Sequence, residues 1–303
     1  RYGNKMRYGK FLPEKGTIGF VAPSFGCNIE PYRSAFINAQ KIWEQQGYGF
    51  SFGPNAYEGC GIGISNTPQK CAEEFNDWYA KEDVDVLISC GGGELMCEIL
   101  PYIDFEKIRN SEPKWFLGYS DNTNLIFLLA TLCDTAAIYG PCAAAFGMEP
   151  WHDSLKDAMG ILKGNIKSVH NYEQWEKEGL KTEDNPLEPY NVTEKFQLRT
   201  WTAEKGLSIP DDISKKTDEI IQMEGRLLGG CLDCLSILCG TKFDQVEQFN
   251  EKYKEDGILW FLESCDLNPM GIRRALWQLD EAGWLKYTKG FLIGRPYCYG
   301  EDF

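Results

Sequence analysis

Histidine is scarce in this chain. His152 and His170 are the two it has among 303 residues, and both stand in polar stretches that read as surface. Positive charge is short as well, with 31 Lys and Arg against 45 Asp and Glu and a formal net charge of −14. Such a balance repels phosphate backbones and anionic bilayers, which argues against nucleic acid or membrane as partners. No apolar run approaches the ~20 residues of a membrane-spanning helix. Arg1 to Lys10 is polar, without the apolar core of a signal peptide. There is no internal repeat and no low-complexity tract.

Nucleotide fingerprints are missing too. Gly91-Gly92-Gly93-Glu94 lacks the G-x-G-x-x-G pattern, follows the third strand signal and puts Glu94 where a phosphate would be repelled. No Gly-Lys-Ser/Thr follows it, so it is not a Walker loop. A dinucleotide-dependent enzyme is therefore disfavoured. Cysteine, by contrast, is plentiful, with twelve residues. The one C-x-x-C, Cys231 to Cys234, falls in a predicted helix with no second pair or nearby histidine, too few ligands for zinc. The others are scattered through apolar runs, where a free thiol packs as a small hydrophobe. Reduced thiols and no metal are expected, which points to the cytoplasm.

Strand and helix signals alternate through the first half. Thr17 to Ala22 and Tyr48 to Phe52 read as strands, Arg33 to Gln46 and Gln69 to Ala80 as amphipathic helices, and Val84 to Ser89 as a buried strand. The order βαβα predicts a parallel sheet covered on both faces. Asn165 to Thr217 is polar, carries Trp175, Tyr190 and Trp201, and reads as a linker with extended or hairpin segments. Periodicity resumes at Gly225, with a helix closed by Gly240, a strand over Ile258 to Leu262, a helix stopped by Gly283 and a strand over Phe291 to Ile293. The expected class is α/β: an N-terminal parallel-sheet α/β domain (1–165), a linker or insertion (166–220) and a smaller C-terminal α/β domain (221–303).

Three places could carry chemistry. Gly118-Tyr119-Ser120-Asp121-Asn122 closes the apolar run 115–117 and opens another at Leu125 to Leu129. A serine there sits at the carboxyl edge of a sheet, where open α/β sheets bind ligands. The helix behind it supplies unpaired N–H groups for developing negative charge. Ser120 or Asp121 could equally be a plain helix N-cap. The segment departs from the G-x-S-x-G elbow by having Asn122 at the second glycine. The triple glycine 91–93 could lend backbone N–H groups to an oxyanion hole, or simply make a tight turn. Glu263 ends the strand Ile258 to Leu262, so its carboxylate could orient a histidine base or pair with Arg273 or Arg274.

Together these pieces resemble the LD-carboxypeptidase family of serine peptidases, which includes the murein LD-carboxypeptidases and the microcin C immunity peptidases. The resemblance rests on Pro23-Ser24, Gly91 to Gly93 ahead of Leu100-Pro101-Tyr102-Ile103-Asp104, and Gly118-Tyr119-Ser120-Asp121. It continues in Gly225-Arg226-Leu227-Leu228-Gly229-Gly230 with Gly240-Thr241, in Leu262-Glu263 and in Gly290 to Arg295, in the family's order from about Thr17 to Arg295. It implies a Ser–Glu–His triad with Ser120 as nucleophile and Glu263 as orienter. The N–H groups of Gly92 and Asp121 would form the oxyanion hole. No metal or organic cofactor is implied, and a homodimer is. The substrate would be a small peptide, hydrolysed next to a terminal D-residue of a murein-type LD-peptide, or a peptidyl-nucleotide of the microcin type.

Two departures stand out. Cys231 occupies a position where the family usually has Asn, and the family's histidine, beyond the strand ending in Gly-Arg, has no counterpart before Phe303. The expectation is a chain lacking its C-terminal few dozen residues; the rival is a non-catalytic ligand-binding homologue without a base.

Overall fold

The computed structural model describes residues 5–61, 63–202 and 221–298. Residues 203–220, the end of the expected linker, and 299–303 lie outside the described residues. Five strands, β1 (Thr17–Val21), β2 (Gly49–Phe52), β3 (Val86–Ser89), β4 (Phe116–Gly118) and β5 (Ile138–Tyr139), form one parallel sheet in the order β2-β1-β3-β4-β5. Helices α1 (Tyr32–Gln45), α2 (Pro68–Ala80), α3 (Phe105–Arg109) and α4 (Thr123–Cys133) make the crossovers. Every residue of β3 is buried, as expected for a strand covered on both faces. On α1 the buried residues Ala35, Phe36, Ala39 and Trp43 lie at helical spacing. At the start of α2, Thr67 Oγ1 accepts from Lys70 N–H at 3.4 Å and Pro68 occupies the first turn, where its missing N–H costs nothing.

After α5 (Asp153–Leu162) comes a two-stranded antiparallel hairpin, β6 (Gln174–Glu176) with β7 (Val192–Lys195). Strand β8 (Arg226–Cys231), α6 (Leu232–Leu238), α7 (Val246–Lys252), β9 (Ile258–Glu263), α8 (Pro269–Glu281) and β10 (Thr288–Ile293) build a second parallel sheet in the order β10-β9-β8. The two sheets share one core through α4, whose Leu125, Ile126, Phe127, Leu128 and Leu129 are all buried. A helix apolar on every side must be covered on every side. Phe127 stacks on Trp284 and Trp260 of the second sheet's layer, with centroids 5.2 and 6.3 Å away. The helix that follows Ser120 therefore fixes the first sheet against the second.

Strand order reverses between β1 and β3, so the ligand-binding crevice of such a sheet lies outside their carboxyl ends. Those ends lead into Pro23-Ser24 and Gly91 to Gly93. Beside the first loop, buried Glu74 of α2 accepts from Ala22 N–H at 2.5 Å and Asn55 N–H at 2.7 Å. Burial raises its pKa from 4.5 to about 7. A carboxyl group whose pKa is higher folded than unfolded stabilises most below its unfolded pKa, and that contribution is lost as pH rises toward 7. Relative to Glu74→Gln, the native chain should lose roughly 2 kcal/mol of unfolding free energy between pH 5 and pH 8. Urea unfolding of both proteins at the two pH values checks this; a pH-independent difference contradicts it.

Candidate active site

Strand β4 ends at Gly118, and Ser120 then takes φ +59°, a left-handed conformation that costs a residue with a Cβ ~1–3 kcal/mol. A short 3₁₀ turn over Ser120–Asn122 leads into α4. This strand–turn–helix corner is the arrangement that lifts a nucleophile off a sheet edge. Neither Ser120 nor Asp121 caps α4: the N-cap is Asn122, with no side-chain cap bond. The Asn122 amide instead donates to Gly91 O at 3.0 Å and Tyr119 O at 2.9 Å, tying the serine corner to the glycine loop. Asparagine at the second elbow position thus has a structural task.

The glycine loop is the neighbouring wall. A Cβ placed on Gly92 would stand 3.4 Å from Ser120 Oγ. Gly92 O accepts from Phe25 N–H at 2.9 Å, whereas its own N–H has no partner among the described residues. Asp121 lies in the first turn, where N–H groups lack intrahelical acceptors. Its side chain is spoken for: Oδ2 accepts from Ser24 Oγ–H at 2.5 Å and Met96 N–H at 2.9 Å, and Oδ1 accepts from Asn124 Nδ2 at 3.2 Å. Burial raises the Asp121 pKa, and the hydrogen bond from Ser24 opposes that. Gly93, at φ +159°, passes so close to Ser24 that a Cβ there would lie 2.1 Å from its hydroxyl, so only glycine fits.

Glu263, at the end of β9, is brought to the same place. Tyr139 O–H donates to Glu263 Oε1 at 2.5 Å, and Ser120 N–H donates to Tyr139 Oη at 2.8 Å. One hydroxyl thus joins the carboxylate to the backbone of the serine. Burial, reinforced by the Glu263 charge, pushes the Tyr139 pKa far up and keeps the phenol protonated. Sequence reasoning missed Tyr139 because β5 is two residues long and carries no periodicity; the Ala136-Ala137-Ile138-Tyr139-Gly140 run was the one available signal. Tyr139→Phe strands both groups and should lower kcat ~10–100-fold with a smaller change in KM. Steady-state kinetics decide, and unaltered kcat would make the tyrosine a packing residue.

Neither histidine joins this group. His152 caps α5, accepting from Ser154 N–H at 3.1 Å, and its ring meets Tyr172 and Tyr190 edge-on. His170 Nδ1 donates to Asn171 O at 2.8 Å and is exposed. No ion pair joins Glu263 to Arg273 or Arg274 among the described residues.

Cys231 is the N-cap of α6, and its N–H donates to Thr123 Oγ1 at 2.9 Å; Cys234 Sγ lies 3.8 Å from Ser120 O. The hydrogen bond with Cys231, with burial behind it, pushes the Cys234 thiol pKa up and keeps it protonated. Among the described residues no group of three or more His, Cys, Asp and Glu is placed to hold a metal ion, and no helix is long and apolar enough to cross a membrane. A cleft of roughly 1400 Å³ runs behind Tyr139 between Trp115, Leu227 and Phe261. Ser120 and Glu263 do not line it.

Known proteins share this organisation. The description "LD-carboxypeptidase N-terminal domain" matches residues 18–140, and "LD-carboxypeptidase C-terminal domain" matches 224–302. A Vibrio cholerae protein provisionally named a carboxypeptidase is 32% identical over 151 residues, 48% of this chain and 43% of that protein. The microcin C7 self-immunity protein MccF of Escherichia coli is 23% identical over 233 residues, 75% of this chain and 62% of its own length. The matched part is thus under two thirds of either relative. A structure of MccF in complex with glutamyl sulfamoyl guanosine has a TM-score of 0.74 at 18% identity, covering 96% of this chain and 80% of that one. Muramoyltetrapeptide carboxypeptidase from Oxalobacter formigenes gives 0.63 at 20%, covering 92% and 76%. At such identities the structural likeness is one of fold.

Proposed function

The chain belongs to the LD-carboxypeptidase family, and from that premise we propose that its site hydrolyses the amide bond next to a terminal D-residue of a murein-type LD-peptide. The observation that carries the reading is the corner at Ser120, with Gly92 on one side and Glu263 linked through Tyr139 on the other. Ser120 Oγ attacks the carbonyl carbon while an imidazole takes its proton. The oxyanion is held by the N–H groups of Gly92 and Asp121, which stand on the two turns that meet at Ser120. Collapse of the tetrahedral intermediate breaks the C–N bond, and the imidazolium hands its proton to the departing amine. Water then hydrolyses the acyl-serine by the same route in reverse.

The imidazole is the component these 303 residues do not place. Glu263 has its Oε1 on Tyr139, which leaves Oε2 to orient an imidazole and stabilise its charged form. One observation keeps a second substrate in play: Trp175 of β6 stands against Arg295, whose chain neighbour Gly294 adjoins Glu263, and an indole there could stack on a nucleobase. An aminoacyl-nucleotide of the microcin type would use the same serine. Product analysis by chromatography and mass spectrometry, with imidazole supplied, separates the two. Release of the terminal D-residue from an LD-tetrapeptide is expected; cleavage confined to an aminoacyl sulfamoyl or phosphoramidate nucleoside would favour the second substrate, and cleavage of neither would leave a ligand-binding protein.

A further inference from the structure

Arg295 follows Gly294, the first residue beyond β10. Gly294 N–H donates to Leu262 O at 2.8 Å, and a Cβ on Gly294 would lie 3.2 Å from the Glu263 Cβ. The backbone that carries Arg295 is therefore laid directly along the end of β9, beside the proposed triad carboxylate. Its guanidinium sits 4.5 Å over the ring of Trp175, a residue of the β6–β7 hairpin. A guanidinium stacked on an indole is held in place while its N–H edge stays open to hydrogen bonding.

No carboxylate claims that edge. Among the described residues Arg295 has neither an ion pair nor a hydrogen bond, and Glu263 Oε1 is engaged by Tyr139. Other cations of the chain show the contrast. Lys114 is buried, and its ammonium donates to Lys81 O at 2.6 Å and Trp78 O at 3.2 Å. Arg226 is matched by Asp256 at 2.8 Å. Arg295 is an exposed residue, and partial desolvation of its guanidinium lowers its pKa.

The reaction geometry says which part of a substrate would meet it. The acyl carbon sits at Ser120 and the oxyanion points to Gly92, so the departing amine lies toward the base, on the Glu263 side. In a terminal residue the carboxylate is one carbon beyond that amine. We propose that Arg295, braced by Trp175, is the specificity-determining residue that binds the free carboxylate of the leaving residue, a bidentate partner its planar fork fits. This rests on the peptidase reading above and adds to it the reason the enzyme would cut at a chain end: an internal residue offers no anion at that point.

The test is calorimetric binding, which needs no turnover. The 303-residue chain carrying Ser120→Ala is titrated with an LD-tetrapeptide bearing a free terminal carboxylate and with its C-terminal amide. With Arg295 intact, the acid should bind ~10–100-fold more tightly than the amide. Adding Arg295→Gln should bring that ratio to about one, and Arg295→Lys should restore part of it, since a lysine keeps the charge but not the fork. Thermal unfolding of each variant shows that the fold persists. If Arg295→Gln weakens acid and amide equally, the residue merely clasps the hairpin and the proposal fails while the peptidase reading stands. If neither peptide binds the Arg295 protein, the peptide reading fails and takes the subsite with it. If the Arg295-dependent gain appears for an aminoacyl phosphoramidate and not for the acid, the anion is a phosphate and the carboxylate assignment is overturned.

Discussion

Ser120→Ala, assayed with an imidazole base present, should lose turnover by about 10³-fold or more while the protein folds normally and still binds peptide. The expectation follows from the corner itself. Ser120 is held at φ +59°, its Oγ faces Gly92, and its side chain has no capping bond to lose. A residue kept in a strained conformation without a structural duty points to a chemical one. Alanine occupies the same backbone conformation and removes a single oxygen, so stability should change little. The residual rate reports what oxyanion donors and binding achieve without a nucleophile. Retention of more than about a tenth of the wild-type rate would mean that Ser120 does not form the acyl intermediate.

Glu263→Gln should give the next largest loss, about 10²–10³-fold at saturating imidazole. In serine triads the amide replacement costs ~10⁴, because it selects the wrong tautomer and leaves the imidazolium without a counter-charge. An imidazole arriving from solution is less firmly oriented to begin with, so it has less to lose. The glutamine also disturbs Tyr139, whose O–H now donates to a neutral oxygen or faces an N–H. The pH profile separates the two effects: losing the carboxylate lowers the pKa of the bound imidazole and shifts the rising limb to lower pH, whereas a packing defect lowers the rate at every pH. A variant within about twofold of wild type would remove Glu263 from the mechanism.

Much of this was legible in the residues. Alternating apolar runs fixed the order of β1, α1, β2, α2 and β3, and hydrophobic spacing with glycine stops placed α6 and α8, because those elements bury one face against a single neighbour. Ser120 and Glu263 were readable as the residues that follow buried strands, since a strand that ends at a sheet edge presents its next side chain to the crevice. Their proximity was not readable. It depends on α4 being covered by both sheets and on Tyr139, whose strand is too short to show a period. The φ of Ser120 leaves no trace in composition, and the capping alternative could be set aside only once Asn122 was seen to occupy the N-cap. Short helices such as α7 escaped for the same reason as β5: seven residues hold barely two turns of pattern.

The central claim is that Ser120 and Glu263 form a hydrolytic site that wants an imidazole. Its most direct measurement is the rate of D-residue release from an LD-tetrapeptide by the 303-residue chain as imidazole is raised. The expected result is a very low rate without imidazole and a saturable rise with it, abolished by Ser120→Ala and blunted by Glu263→Gln. A full rate without added imidazole, or an imidazole-stimulated rate that survives Ser120→Ala, would contradict the claim.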